Sequence, residues 1–163
     1  MNSAVLSSQI SGSLLITFLA SFLIWLMFTG LLVLWLIDGK IKKEQVLHAI
    51  FASLVAWTIS QMIKNLIPME RPFELNGGLP LTITIPNDGA FPSSHATVAF
   101  ALAGSIWAHD KKIGIIFIIL ALGVAIGRVM SNVHFTLDVA TGAFIGFAIA
   151  ILVDKLHLGK LIK

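Results

Sequence analysis

The chain has 163 residues, a formal net charge of +3 and a mean hydropathy of +0.95, with 57% hydrophobic and 12% charged residues. Soluble domains are rarely so apolar, and runs of about 20 apolar residues, the length that crosses a bilayer as a helix, recur along the sequence. The absence of Cys excludes a disulfide framework and thiol chemistry. The composition predicts one all-α, polytopic membrane domain over residues 1–163, without room for a second, soluble one.

Five apolar segments are predicted to form the helices of a membrane bundle. The first follows a short polar stretch, Met1–Ser13, which lacks the basic region of a cleavable signal peptide and is expected to be interfacial. The third segment is rather short for a full span, and its candidate N-cap is the Ser93-Ser94 pair, while Thr136 is a candidate cap of the fifth. The helices are expected over Leu14–Ile37, Val46–Ile67, Ser94–Ala108, Ile113–Gly127 and Leu137–Val153.

The connections between these helices differ in character. Asp38–Glu44 and His109–Lys112 are tight charged turns, whereas Pro68–Pro92 is a Pro- and Gly-rich loop longer than most inter-helix connections. Long loops of this kind are often functional. The alternating stretch Leu81–Ile85 within the loop fits either a short strand or an apolar lip in the headgroup region, and the pattern does not decide between them.

The basic residues divide unequally between the two faces of a five-helix bundle. One face carries Lys40, Lys42, Lys43, Lys111, Lys112, Lys155, Lys160 and Lys163. The positive-inside rule makes this face cytoplasmic, which places the amino terminus outside and the carboxyl terminus inside. Lys64, Arg71 and Arg128 are left on the opposite face against that bias, and they indicate an anionic partner there.

The densest polar cluster is Gly127–Asp138, GRVMSNVHFTLD, at a break between two apolar runs. Asp138 follows His134 by four positions, so the two side chains share one face if the helix has begun by His134. A carboxylate bonded to one ring nitrogen leaves the other as a nucleophile or base, and the guanidinium of Arg128 suits phosphate oxygens. On these residues alone, a polar loop with a snorkelling arginine fits the pattern equally well.

Three polar groups follow one another in the sequence: Lys64 with Arg71-Pro72, Pro92-Ser93-Ser94-His95, and Arg128 with His134 and Asp138. Together they resemble the signatures of the type 2 phosphatidic acid phosphatase (PAP2) superfamily. Those signatures are Lys-x6-Arg-Pro, Pro-Ser-Gly-His and Ser-Arg-x5-His-x3-Asp, and the matching segments are Lys64–Pro72, Pro92–His95 and Gly127–Asp138. The spacings match throughout. Ser94 stands where the family usually has Gly, and it is expected to add a hydroxyl donor; Gly127 stands where the family usually has Ser, which removes a possible phosphate contact. The family usually has six membrane helices, so one amino-terminal helix is expected to be absent.

The resemblance implies a lipid phosphatase that works through a phosphohistidine and needs neither a metal nor a cofactor. His134 would attack the phosphorus, Asp138 would orient and stabilise its ring, and His95 would protonate the leaving oxygen. The phosphate oxygens would be held by Lys64, Arg71, Ser93, Ser94 and Arg128.

Within the superfamily, the small size and the stretches RPF, AFPSSHAT and VHFTLDVATG look most like bacterial undecaprenyl-diphosphate phosphatases. That resemblance implies a multi-pass protein of the bacterial cell membrane, with its site on the extracytoplasmic side and a lipid phosphate, not a nucleic acid, as its partner. A phosphatidylglycerophosphate or phosphatidate phosphatase is the alternative, because the family's motifs recognise phosphate and carry little information about the hydrocarbon part of the lipid. A small ion or proton transporter is a more distant alternative. The charges of such a protein would be scattered along several helices, whereas in this sequence they collect at one membrane surface.

Overall fold

The computed structural model describes residues 11–37 and 40–155, with only the backbone of residues 40–42, and over these ranges it is helical without strands. The helices are α1 Ser11–Ile37, α2 Lys40–Leu66, α3 Pro72–Asn76, α4 Ser94–His109, α5 Lys111–Met130 and α6 Thr136–Asp154. Most of the expected interfacial segment and the basic end of the tail lie outside the described residues. The prediction of an all-α, polytopic bundle is confirmed.

Within the part of the chain that the structure describes, four helices are long and apolar enough to cross a membrane, over Ser11–Ile37, Lys43–Leu66, Lys111–Met130 and Thr136–Asp154. Only 28% to 39% of each of these spans is buried inside the protein, so most of their apolar surface faces outward, as contact with lipid tails requires. The third predicted helix, α4, has 16 residues and extends for about 24 Å, less than the hydrocarbon core of a bilayer. It lies in the middle of the bundle, packed against α2, α5 and α6.

Two glycines allow α6 to lie unusually close to α4. A Cβ atom on Gly142 would come within 2.7 Å of the Ser93 carbonyl oxygen, and one on Gly146 within 2.1 Å of the Thr97 carbonyl oxygen. Small residues four positions apart permit this kind of backbone approach between membrane helices. As a result, the backbone N–H of Ser93 at the start of α4 donates to the Asp138 carbonyl at 3.0 Å.

Replacing Gly146 by Ala is expected to lower the melting temperature of the detergent-solubilised protein by several degrees, because the new methyl group would meet backbone that cannot rotate aside. Overpacking of this kind typically costs about 1–3 kcal/mol. Gly123→Ala is the matched control, since its Cβ would meet only the end of the flexible Leu23 side chain. Equal melting temperatures for the two variants would contradict the importance of this contact.

Helix α1 packs against α5 at Gly127. A Cβ atom on Gly127 would lie 2.6 Å from the backbone nitrogen of Ala20, so a serine at this position would collide with α1. The contact falls in a π-helical turn of α1, Phe18–Phe22, and Arg128 Nη1 donates to the Ala20 carbonyl there at 3.2 Å. The departure of Gly127 from the family signature therefore has a packing reason.

Several element boundaries differ from the sequence-based expectation. Helix α5 continues to Met130, three residues past the expected end, so Arg128 lies in its last turn. Helix α2 already begins at Lys40, inside the expected charged turn. Residues 81–85 form neither a helix nor a strand, so the strand alternative for this stretch is wrong. The second charged turn is present, and Asp110 caps α5 by accepting from the backbone N–H groups of Lys112 and Ile113.

Candidate active site

A cavity of about 360 Å³ opens between α1, α2, α4 and the long loop, and it collects most of the predicted site residues. Six of the eight line it: Lys64, Arg71, Ser94, His95, Arg128 and His134. The other two, Ser93 and Asp138, lie behind the lining and are 0% and 1% exposed. The structure therefore brings residues that are up to 74 positions apart into one place, with an excess of positive charge.

The imidazole of His134 is paired with Asp138, although not in the predicted way. His134 Nδ1 lies 3.4 Å from Asp138 Oδ2, but α6 begins only at Thr136, so the two residues do not share a helical face. Instead Asp138 Oδ2 accepts the backbone N–H of Phe135 at 2.8 Å and curls the preceding segment over the helix start. Asp138 thereby takes the capping role expected of Thr136. The other ring nitrogen, Nε2, lies 3.3 Å from Arg71 Nη1.

The environment of His134 favours a neutral ring. Burial lowers the pKa of His134 below its ordinary value; Asp138 partly opposes this shift, and the charges of the three cations of the cavity (Lys64, Arg71 and Arg128) add to it. A neutral imidazole keeps a lone pair on one nitrogen, which is the form that can act as a nucleophile.

Arg71 organises the walls of the cavity. Its side chain is almost completely buried, and its guanidinium donates to carbonyl oxygens of Asp88 (2.9 Å), Val133 (2.9 Å) and Gly89 (3.2 Å). Its backbone N–H donates to Glu74 Oε2 at 2.6 Å, which gives that loop carboxylate a structural role. Arg71 therefore ties the long loop to the segment that carries His134, in addition to presenting a charge.

Asp88 belongs to this site, although it lies outside the three sequence motifs. One carboxylate oxygen lies 2.7 Å from Arg71 Nη2 and the other 3.2 Å from Lys64 Nζ. Partial burial by itself would raise the pKa of the Asp88 carboxyl, but the charges of Lys64 and Arg71 outweigh it and hold that pKa below its ordinary value. The carboxylate thus stays ionised and occupies the cations that a phosphate would need.

Replacing Asp88 by Asn is expected to tighten binding of inorganic phosphate and vanadate, measured as inhibition constants, by about tenfold, the equivalent of one charge-assisted hydrogen bond. The physical reason is that an amide cannot neutralise Lys64 and Arg71 as a carboxylate does. Asn87→Ala, an exposed neighbour in the same loop, is the control and should bind both anions as the unmodified protein does. Weaker binding by Asp88→Asn would instead assign Asp88 a supporting role.

The two serines of the second motif have different environments. Ser94 Oγ lies 2.8 Å from Ser60 Oγ and accepts from Gln61 Nε2 at 3.3 Å, so its hydroxyl links α4 to α2 rather than being a spare donor. The hydroxyl of Ser93 is buried and has no partner among the described residues. Arg128 Nε is likewise without an acceptor in that part of the chain, and Arg128 lines the cavity, so this donor can serve an anion.

A bundle of lipid-facing helices with a cation-lined cavity at one end defines an integral membrane protein with a site for an anionic group. A PAP2 superfamily profile matches residues 45–160, which is most of the chain. The chain belongs to the PAP2 superfamily. The predicted family membership is thus confirmed, whereas the roles of individual site residues remain predictions.

Known relatives and a solved structure agree with this assignment. The chain is 32% identical over 136 residues to the bacitracin transport permease protein BcrC of Bacillus licheniformis, covering 83% of this chain and 67% of that one. It is 27% identical over 124 residues to the undecaprenyl-diphosphatase BcrC of Bacillus subtilis, covering 75% and 63%. The crystal structure of Aquifex aeolicus LpxE superposes with a TM-score of 0.69 at 27% identity, covering 86% of this chain and 81% of LpxE. The match spans about two thirds of these curated relatives.

Proposed function

We propose that the protein is a membrane lipid phosphatase that hydrolyses an isoprenoid or lipid phosphate, with undecaprenyl diphosphate as its substrate and undecaprenyl phosphate as its product. The observation that carries this proposal is the His134–Asp138 pair inside a cavity with three cations. The names of relatives such as the undecaprenyl-diphosphatase of Bacillus subtilis support the choice of lipid.

The geometry suggests a two-step mechanism. His134 Nε2 attacks the terminal phosphorus, the bond from phosphorus to the leaving oxygen breaks, and His95 gives that oxygen a proton. Asp138 stabilises the positive charge that develops on the ring. Water then attacks the phosphohistidine with His95 accepting its proton, and inorganic phosphate leaves. Lys64, Arg71 and Arg128 neutralise the charge that grows on the phosphoryl oxygens in both steps.

The apolar wall of the cavity is evidence that the substrate is a lipid. Away from the cations, the lining contributed by α1 and α2 is mostly apolar and includes Ile24, Phe28 and Leu54. Two tryptophans continue this wall to the outer surface, where Trp25 is 66% and Trp57 49% exposed. A phosphate held by the cations can therefore leave its hydrocarbon tail along α1 and α2, in contact with the bilayer.

We also propose that the site faces the extracytoplasmic side of a bacterial cell membrane, with the amino terminus outside and the carboxyl terminus inside. The support is that the lysines at the starts of α2 and α5 and at the end of α6 lie at the helix ends opposite the site.

Because the chain has no Cys, single cysteines can report this orientation. A membrane-impermeant maleimide is expected to label Leu79→Cys, on the loop beside the site, in bacteria whose outer layers have been removed. Lys112→Cys, in the turn at the other end, should react only after the membrane is permeabilised. Labelling in the reverse order would overturn the orientation without affecting the proposed chemistry.

The proposed activity is tested by phosphate release from undecaprenyl diphosphate, phosphatidylglycerophosphate and phosphatidate, using detergent-purified protein with EDTA present. The expected result is fastest release from the diphosphate. Preference for a glycerophospholipid would move the assignment to a phosphatidylglycerophosphate or phosphatidate phosphatase. Absence of release from all three would contradict the phosphatase proposal and favour transport, and loss of activity in EDTA would contradict a mechanism that relies on cationic side chains alone.

A further inference from the structure

A second polar cluster lies at the other ends of the helices that build the active site. His48 of α2, His109 of α4 and Asp154 of α6 come together there. His48 Nδ1 lies 3.0 Å from His109 Nε2, and His109 Nε2 lies 3.1 Å from Asp154 Oδ1. The planes of the two imidazole rings are 7° from parallel, and their centroids are 5.0 Å apart.

This cluster is separate from the phosphate site. Lys64 follows His48 by sixteen positions along α2, and Asp154 follows Asp138 by sixteen along α6. At the rise of an α-helix this separation is about 24 Å. His95 and His109 mark the two ends of α4 in the same way. The proposed phosphatase mechanism uses none of the three residues, so their convergence needs a reason of its own.

The geometry points to a binding site for a divalent first-row transition metal, best matched by Zn²⁺, formed by His48, His109 and Asp154. One ligand atom from each residue lies within 4.8 Å of the others. Atoms about 3 Å apart can both lie about 2.0–2.2 Å from one ion, the usual Zn–N and Zn–O distances, so the three ligands could bind it with little movement. Two imidazoles and one carboxylate are also the donor set that such metals prefer.

The hydrogen bonding of the cluster supports a cation. His109 Nε2 faces a carboxylate oxygen of Asp154 on one side and a ring nitrogen of His48 on the other, so three atoms that can each supply a lone pair to a metal lie close together. A metal ion in the middle would engage all three lone pairs at once. The side chains of His109 and Asp154 are 23% and 36% exposed, which leaves solvent access, while His48 is 2% exposed and forms the inner wall.

A metal bound here would fasten α2, α4 and α6 together at the end away from the phosphate. These helices carry Lys64, His95 and Asp138 at their other ends, so the ion would stabilise the scaffold without touching the substrate. Its removal should therefore lower the melting temperature while leaving turnover of the folded protein metal-independent.

The test uses full-length protein purified through a tag free of histidine, stripped with chelator and dialysed against micromolar ZnCl₂. We expect one Zn²⁺ per chain by elemental analysis, and a rise in melting temperature with Zn²⁺. His109→Ala and Asp154→Asn should each weaken Zn²⁺ binding by at least about tenfold and abolish that rise. Both positions are partly exposed, so these variants are better suited than changes at the buried His48.

Two control variants show whether the metal binds at this cluster. Asp110→Asn changes the carboxylate next to His109 but keeps a side chain that can cap α5, and it should bind Zn²⁺ normally. His95→Ala should also retain the metal, which would exclude binding at the active site. Co²⁺ provides an independent readout, because its visible d–d bands should appear with Asp110→Asn and be missing with Asp154→Asn. A stripped protein that takes up no stoichiometric Zn²⁺, or an Asp154→Asn variant that binds it as tightly, would overturn the proposal.

Discussion

Phosphate release by a His134→Ala variant is expected to fall by about 10⁴-fold or more in kcat, because the proposed mechanism loses its nucleophile rather than a supporting contact. The neutral ring of His134 has one nitrogen directed at Asp138 and the other next to Arg71, and no alanine atom can replace the attacking lone pair. The measurement is single-turnover and steady-state phosphate release in detergent. An alkaline quench of the unmodified protein should also trap a base-stable, acid-labile phosphoenzyme that the variant lacks.

Thr136→Ala is the matched control for this experiment. Thr136 is only two residues from His134, but it is exposed at the start of α6 and does not line the cavity, so activity should be unchanged. Correct folding of His134→Ala is shown by an unaltered melting temperature. Turnover that persists in a folded His134→Ala protein would require a different nucleophile and would overturn the mechanism, even if the substrate assignment were correct.

The second large effect is expected for Arg71→Lys, with kcat/KM lowered by about 10²–10³-fold although the charge is retained. The guanidinium contacts oxygens of Asp88, Gly89 and Val133 in several directions at once, whereas an ammonium on a flexible stem can hold only part of this set. The loop and the His134 segment would then no longer be held together, so the melting temperature should fall as well.

Glu70→Gln serves as the control for Arg71→Lys, because Glu70 is the adjacent loop charge and is exposed to solvent. Its kinetics should match those of the unmodified protein. If Arg71→Lys kept most of its kcat/KM, Arg71 would act as a simple positive charge, and the several hydrogen bonds of its guanidinium would be irrelevant to the reaction.

Asp88 and Ser94 illustrate where inference from the sequence was incomplete. Asp88 follows Arg71 by 17 positions, across α3 and an irregular loop, and no periodicity relates the two, so only the folded structure reveals their ion pair. Ser94 was expected to offer its hydroxyl to phosphate, but α2 places Ser60 and Gln61 against it. Contacts between distant segments depend on how the helices pack, and the spacing of residues along the chain does not predict which helix faces meet.

The sequence by itself determined the class of this protein and the residues to examine. Long apolar runs require helices wherever backbone groups cannot bond to water, and three spaced motifs selected six of the residues that line the cavity. Only the tertiary structure showed that α4 is a short, enclosed helix and that Gly146 and Gly127 bring helix backbones together. It also showed that Asp88 pairs with Lys64 and Arg71. It also decided that His48, His109 and Asp154 meet. These features depend on the relative positions of segments far apart in the chain, which are set by side-chain packing throughout the bundle.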